Sequence, residues 1–304
     1  ARAQKARKIP RLGVLLYSNP QADPQMPALR RSLAAMGYVE GKSIEIDFRA
    51  AEGKLERIAE LAADLARARP DVLFALGGDV ALPAIQATTT VPIVFATSAD
   101  PVQGGLVASL ARPGANATGV TFILDEIASK RMEMLKEAVP RTSRVAFLWN
   151  PDHADDEESE ARRAAKALGV QLHLIAMRGP GDLDGAFRAI EQAGADALYV
   201  VSSRQTVLRT KEIVDFATRS KLPLVGGWGA WTTAGGLLSY GPNIDEMVRI
   251  AVTYVDRILK GTRPDELPVQ RPVRFELLVN LKTAKALGLD ITEAFLLRAD
   301  KVIE

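Results

Sequence analysis

Apolar residues along this chain alternate between two spacings from Arg11 to about Val225. Unbroken apolar runs such as Leu12-Gly13-Val14-Leu15-Leu16-Tyr17 are each followed by a stretch whose apolar positions fall three and four apart. A short unbroken run suits a strand covered on both faces, and the wider spacing suits the helix that crosses back over it. The pattern predicts strands at 12–17, 43–49, 71–76 and 92–96, with helices at 26–36, 55–68 and about 81–87. Further along it predicts strands at 144–149, 170–176, 196–201 and 223–225, with helices at 157–168, 183–193 and 206–219. Strands and helices alternating in this way imply parallel sheets wound with helices.

The second series repeats the first. Asn19-Pro20 recurs as Asn150-Pro151, and Pro92-Ile93-Val94 recurs as Pro223-Leu224-Val225, at the same offset of 131 residues. Two copies of one α/β unit give two Rossmann-like lobes. The expected lobes are residues 1–120 with 242–271, and 121–241 with 272–304, the tail returning so that a helix at 244–260 packs on the first and the segment after about 272 on the second.

In open parallel sheets, ligands bind outside the carboxyl ends of the strands, where helix N-termini point outward. The expected walls are therefore residues 17–20, 77–80 and 97–101 of the first copy, and 149–152, 202–205 and 226–229 of the second. Candidate ligand contacts on them are Tyr17, Ser18, Asn19, Gly78, Asp79, Ser98, Asp100, Asn150, Ser202, Ser203, Arg204 and Trp228. Thr121, where the second lobe is expected to begin, and Tyr240, near the last strand of the repeat, complete the set. Asp100-Pro101 reads as an N-cap with the first helical residue, so Ser98 is the better contact. Asp79 follows two glycines that let a ligand approach the backbone, and it also reads as a cap for its own helix. Arg204 offers a planar fork for a carboxylate, against the alternative of a solvated charge at the rim. Trp228 offers a flat apolar face, whereas Trp149 reads as packing beneath its loop.

Composition narrows the chemistry. Among the 304 residues, 39 basic and 37 acidic side chains leave a net charge of +2, which gives no field to gather nucleic acid. Cysteine is absent, so thiolate chemistry, disulfides and sulfur-ligated metals are excluded. No apolar run approaches the roughly 20 residues that span a bilayer. His153 and His173 lack metal-spaced partners; His153 lies among Asp152, Asp155, Asp156, Glu157 and Glu158, which read as the acidic first turn of a helix. Gly37-x-x-x-Gly41-Lys42-Ser43 is one residue short of a phosphate-binding loop and follows a helix, so it reads as a helix end and a tight turn. No hydrolase or dinucleotide motif appears, and no cofactor or catalytic residue is expected. Ala1-Arg2-Ala3-Gln4, followed by Lys5, Arg7 and Lys8, has the small-x-small pattern left by export-signal cleavage.

Several motifs carry a resemblance. Gly37-Tyr38-Val39-Glu40-Gly41-Lys42, Asp100-Pro101-Val102, residues 106–114, Leu148-Trp149-Asn150-Pro151, residues 235–242 and residues 280–289 resemble the tryptophan/tyrosine-type ABC transporter substrate-binding proteins. The resemblance runs in order over nearly the whole chain. It implies a type I periplasmic-binding-protein fold, with two parallel-sheet lobes joined by a three-strand hinge, that closes on a small molecule. It also implies delivery to ABC permease subunits, and a monomer that is periplasmic or lipid-anchored outside the cell. Gly78-Asp79 and Ser202-Ser203-Arg204 depart from the commoner pattern and add charge to the walls. Together with the walls, the resemblance points to a carboxylate-bearing ligand, an amino acid or an aromatic or aliphatic acid. The alternative is a ligand-sensing regulatory domain of the same fold, which would carry a DNA-binding head.

Overall fold

A computed structural model describes residues 9–122, 126–153 and 155–304. The expected export scar at Ala1 to Gln4, with Lys5, Arg7 and Lys8, lies outside these residues. The chain divides into two compact units, Ala1–Phe122 with Asp245–Arg271, and Ile123–Ile244 with Pro272–Glu304.

The first unit holds β1 (Arg11–Leu16), α1 (Met26–Ala35), β2 (Glu45–Ala50), α2 (Ile58–Arg67), β3 (Val72–Leu76), α3 (Gly78–Ala87), β4 (Ile93–Thr97) and β5 (Ala117–Thr121). Its five strands lie in the order β2-β1-β3-β4-β5, all parallel. β3, β4 and β5 are buried along their whole length, as unbroken apolar runs require, while the alternating edge strand β2 is half-covered.

The second unit holds α4 (Glu126–Ala138), β6 (Arg144–Trp149), α5 (Glu157–Ala167), β7 (Gln171–Ala176), α6 (Leu183–Gln192), β8 (Ala197–Val200), α7 (Arg204–Val207), α8 (Thr210–Arg219), β9 (Leu224–Gly226), α9 (Gly229–Thr233) and β10 (Leu238–Pro242). The order β7-β6-β8-β9-β10 repeats that of the first sheet, strand for strand. Phe147 stacks on Tyr199 with ring centroids 4.9 Å apart inside this core, and Phe187 stacks on Phe216 at 4.1 Å.

The tail then serves both units. α10 (Ile244–Leu259) buries Met247, Val248, Ala251, Val252, Val255 and Ile258 along one stripe. It belongs with the first unit, where the Tyr254 hydroxyl donates to the Pro268 carbonyl at 2.6 Å and Thr118 Oγ1 donates to the Leu267 carbonyl at 2.6 Å. β11 (Phe275–Asn280), α11 (Leu281–Ala286), α12 (Glu293–Leu296) and β12 (Lys301–Ile303) complete the second. β11 pairs antiparallel with β10, and β12 pairs parallel with β11, so the seven-stranded sheet is not wholly parallel. Strands β5, β10 and β11 flank the three places where the chain passes between units.

Two expectations about helices are corrected. Residues 206–219 form two helices, because Ser203 caps α7 two residues earlier than expected and Leu208-Arg209 interrupt it before α8. No helix follows Asp100-Pro101; residues 101–105 make successive turns that end at Gly105, where φ is +69°. The near phosphate loop is the turn it resembled: Gly37 has φ +83° after α1, and Ser43 Oγ donates to the Gly37 carbonyl at 2.9 Å while accepting from the Val39 N–H at 2.8 Å.

Candidate functional site

At the carboxyl edge of the first sheet, β1 passes into three candidate contacts. Tyr17 is buried and its hydroxyl donates to the Gly53 carbonyl at 2.7 Å. Ser18 is buried and donates to Asp23 Oδ2 at 2.6 Å, while Asp23 Oδ1 accepts the Gln25 N–H at 2.9 Å. Asn19 is exposed, and its side-chain oxygen accepts the Gln21 N–H at 2.9 Å. Asp23 and Gln25 are themselves buried polar residues of this loop, and nothing in the sequence pattern marked them.

β3 ends one residue before Gly77, whose φ of +116° lets the chain turn directly into α3. Gly78 opens that helix, and a Cβ there would lie 3.2 Å from Thr97 Oγ1, so the first turn of α3 sits against the end of β4. Asp79 follows. Its Oδ2 is fully buried and has no hydrogen-bond partner among the described residues. Beyond β4, Thr97 Oγ1 accepts the Ala99 N–H at 2.9 Å, and Ser98 between them is buried. Thr121 Oγ1 donates to the Ala99 carbonyl at 3.1 Å. Asp100 Oδ1 accepts the N–H groups of Val102 and Gln103, both at 2.8 Å, so it closes a turn where a helix cap was expected. Gly78, Ser98 and Thr121 are thus drawn together around residues 97–99, while Asn19 stands apart on the surface.

The corresponding edge of the second sheet is richer in charge. Trp149 packs on the core beside Phe147, as read from its position, and Tyr240 packs there too, against Phe275. Asn150 is buried and its side chain accepts the Asp152 N–H at 3.0 Å. Ser202 accepts the Trp231 indole N–H at 3.0 Å, and Ser203 caps α7 by accepting from the Thr206 N–H. Arg204, the first residue of α7, is 5% exposed. Trp228 is 7% exposed at the N-cap of α9.

Beneath this edge lies a group that the sequence did not reveal. Arg131 on α4 is buried; its Nε donates to the Tyr240 carbonyl at 2.7 Å, and its Nη1 donates to the Tyr199 hydroxyl at 3.0 Å and to Glu157 Oε1. The Tyr199 hydroxyl also donates to Glu157 Oε1 at 2.8 Å. Burial pushes the Glu157 carboxyl above its usual range against the pull of the Arg131 guanidinium, and burial likewise raises the Tyr199 phenol. Arg131 stays protonated: burial works against its charge, but Glu157 and Tyr199 outweigh it. A Cβ at Gly227 would lie 2.9 Å from Arg131 Nη2 and 3.1 Å from Ser202 Oγ, so the glycine is what lets this wall close over the guanidinium. His153 Nδ1 sits 2.5 Å from Asp155 Oδ2. No metal-binding group of histidines and carboxylates occurs among the described residues, and no helix among them is long and apolar enough to cross a membrane.

The family model described as ABC transporter substrate binding protein matches residues 14–303. The chain belongs to this family. It is a family of solute-binding proteins, not of enzymes. A tyrosine-binding protein of Clostridioides difficile is 23% identical over 276 residues, covering 90% of this chain and 79% of the relative. Among solved structures, a conserved domain protein of Vibrio cholerae is 28% identical with a TM-score of 0.89, over 97% of this chain and 100% of that one. An ABC domain from Streptococcus pneumonia in complex with L-Trp is 24% identical with a TM-score of 0.87, over 97% and 99%. The architecture of the substrate-binding chain is that of type I periplasmic binding proteins.

Proposed function

We propose that this substrate-binding protein is an extracytoplasmic receptor of an ABC importer, and that its two carboxyl edges close on an amino acid with an aromatic side chain. The observation that carries the reading is the concentration of buried polar side chains at these edges: Ser18, Ser98 and Thr121 on one sheet, and Asn150, Ser202, Ser203 and Arg204 on the other. Polar side chains gathered at the carboxyl ends of the strands, where open parallel sheets bind their ligands, supply the few placed polar groups that a recognition surface needs. Arg204 supplies positive charge for a carboxylate and Trp228 an aromatic surface for the side chain. The names of two relatives, one tyrosine-binding and one holding L-Trp, favour the same ligand class.

Closure needs no chemistry. A ligand that binds the closed arrangement more tightly than the open one shifts the population towards it, and the permease subunits recognise that form. The protein acts as a monomer, periplasmic or lipid-anchored outside the cell, with Tyr17, Gly78, Asp79, Asp100 and Tyr240 framing the same surfaces.

Isothermal titration with L-tryptophan, L-tyrosine and their carboxamides tests this reading. The acids are expected to bind, and the amides to bind roughly tenfold or more weakly, because a hydrogen bond to a charged group contributes about 1.5–3 kcal/mol. Arg204→Ala is expected to erase that preference. Equal affinity for acid and amide rejects the carboxylate site, and absence of binding by any of the four rejects the ligand class.

A further inference from the structure

We infer that the first unit carries a second small-molecule site at the amino edge of its sheet, and that this site takes a singly charged anion with an apolar body. The site lies at the opposite end of the strands from the carboxyl edge and does not depend on the amino-acid reading above.

A cavity of about 440 Å³ opens there, within the size range of small-molecule sites. Three pieces of chain build it. Ile9 and Pro10 lead into β1, the turn from Met36 to Ser43 joins α1 to β2, and the end of α10 brings Asp256, Leu259 and Lys260. The Tyr38 hydroxyl donates to Asp256 Oδ1 at 2.8 Å and ties the turn to α10 across 218 residues of chain. The Glu45 N–H donates to the Pro10 carbonyl at 2.9 Å and ties the start of β2 to the start of β1. The turn that resembles a phosphate loop thus forms one wall. Its N–H groups at Gly41, Lys42 and Ser43 already bond the carbonyls of Ile44 and Val39, so recognition falls to side chains.

Those side chains divide into an apolar lining and one uncompensated charge. Ile9, Pro10, Met36 and Leu259 line the cavity with Tyr38, and Ile9 stays exposed. Asp256 accepts from the Tyr38 hydroxyl and from Lys260 Nζ, the latter at 2.8 Å, so its carboxylate is satisfied. Lys260 is therefore neutralised, and it stands where a cation offsets the negative end of α10. Lys42 has no such partner: it is exposed, and its ammonium makes no hydrogen bond or ion pair with a described residue. One unpaired positive charge beside an apolar hollow matches one negative charge on an apolar body. Carboxylate and phosphodiester amphiphiles have this chemistry, free in solution or at the surface of a bilayer.

Titration calorimetry on the whole chain with octanoate, 1-octanol and acetate tests the inference, with and without L-tryptophan. Octanoate is expected to bind roughly tenfold or more tightly than acetate, through its buried chain. It should bind about three- to fivefold more tightly than 1-octanol, the contribution of an exposed charge pair. Lys42→Ala is expected to erase the preference over 1-octanol, and Lys42→Arg to keep it. Neither variant should change the unfolding temperature without ligand, because the Lys42 side chain makes no bond in the fold. Co-sedimentation with vesicles of pure phosphatidylglycerol or pure phosphatidylcholine separates the two sources. Retention on phosphatidylglycerol alone, lost in Lys42→Ala, assigns the site to a bilayer surface, and octanoate binding without retention assigns it to a free solute. Equal affinity for octanoate and 1-octanol, a preference that survives in Lys42→Ala, or displacement of octanoate by L-tryptophan overturns the inference. So does failure to bind both octanoate and phosphatidylglycerol vesicles. None of these results touches the amino-acid reading, which stands on its own titrations.

Discussion

Replacing Arg131 by methionine keeps the length of the side chain and removes its charge, and the structure specifies what is lost. The guanidinium donates to the Tyr240 carbonyl, the Tyr199 hydroxyl and Glu157 Oε1, all within a buried pocket of the second lobe. Hydrogen bonds to charged groups contribute about 1.5–3 kcal/mol each, but removing one partner of a buried pair costs about 3–5 kcal/mol in total, because the contributions are not additive. Arg131→Met is therefore expected to destabilise the second lobe by about 3–5 kcal/mol. Trp149, Trp228 and Trp231 are the 3 tryptophans and all lie in that lobe, so intrinsic fluorescence during urea unfolding reports on it alone.

The pH dependence gives a second reading of the same variant. Burial already raises Glu157 above its usual carboxyl range, and Arg131 is the main influence pulling it down. Without Arg131 the folded-state value rises further above the unfolded one. A group raised in this way contributes stability that is fully present below its unfolded pKa and is lost as pH rises through the folded value. The deficit of Arg131→Met should accordingly be smaller at pH 5 than at pH 8. The double variant Arg131→Met/Glu157→Met should recover part of the loss at pH 8, since an apolar pair leaves no charge unpaired. A deficit under about 1 kcal/mol, or one that does not change with pH, refutes a buried ion pair at this place.

Two other substitutions probe the same wall. Gly227→Ala puts a methyl group 2.9 Å from an Arg131 guanidinium that its bonds to Tyr240, Tyr199 and Glu157 hold in place, and it is expected to cost about 1–3 kcal/mol in urea unfolding. Unchanged stability would show that Arg131 is free to move. Trp228→Ala should weaken L-tryptophan and L-tyrosine by roughly tenfold, with a much smaller effect on any aliphatic amino acid that binds, since an aromatic pair adds about 0.5–1.5 kcal/mol beyond the area it buries. An equal loss for aliphatic and aromatic ligands in calorimetry would assign Trp228 to packing.

The backbone of this protein is written plainly because strands buried on both faces admit only apolar residues. β1, β3, β4, β6 and β8 were readable as unbroken runs, and the offset of 131 residues between Asn19-Pro20 and Asn150-Pro151 foretold that β7-β6-β8-β9-β10 would repeat β2-β1-β3-β4-β5. Legibility faded where a structure depends on distant partners. β11 and β12 are strands by virtue of pairing with β10 and with each other, and the antiparallel register that sets Tyr240 against Leu277 has no local signature. The break between α7 and α8 follows from a cap at Ser203 that competes with an apolar spacing continuous enough to suggest one helix.

Side-chain roles at the strand ends were legible as positions and not as partnerships. Arg131 follows Lys130 and precedes Glu133 on α4, and nothing in that run separates the buried guanidinium from its solvated neighbours. Asp23, Asp79 and Asp100 look alike in the sequence, each a loop or helix-start acid within seven residues of a strand. Their difference lies in whether the local backbone satisfies them. Asp23 and Asp100 bend their own loops around their carboxylates, whereas Asp79 sits after a glycine that places α3 without needing a cap.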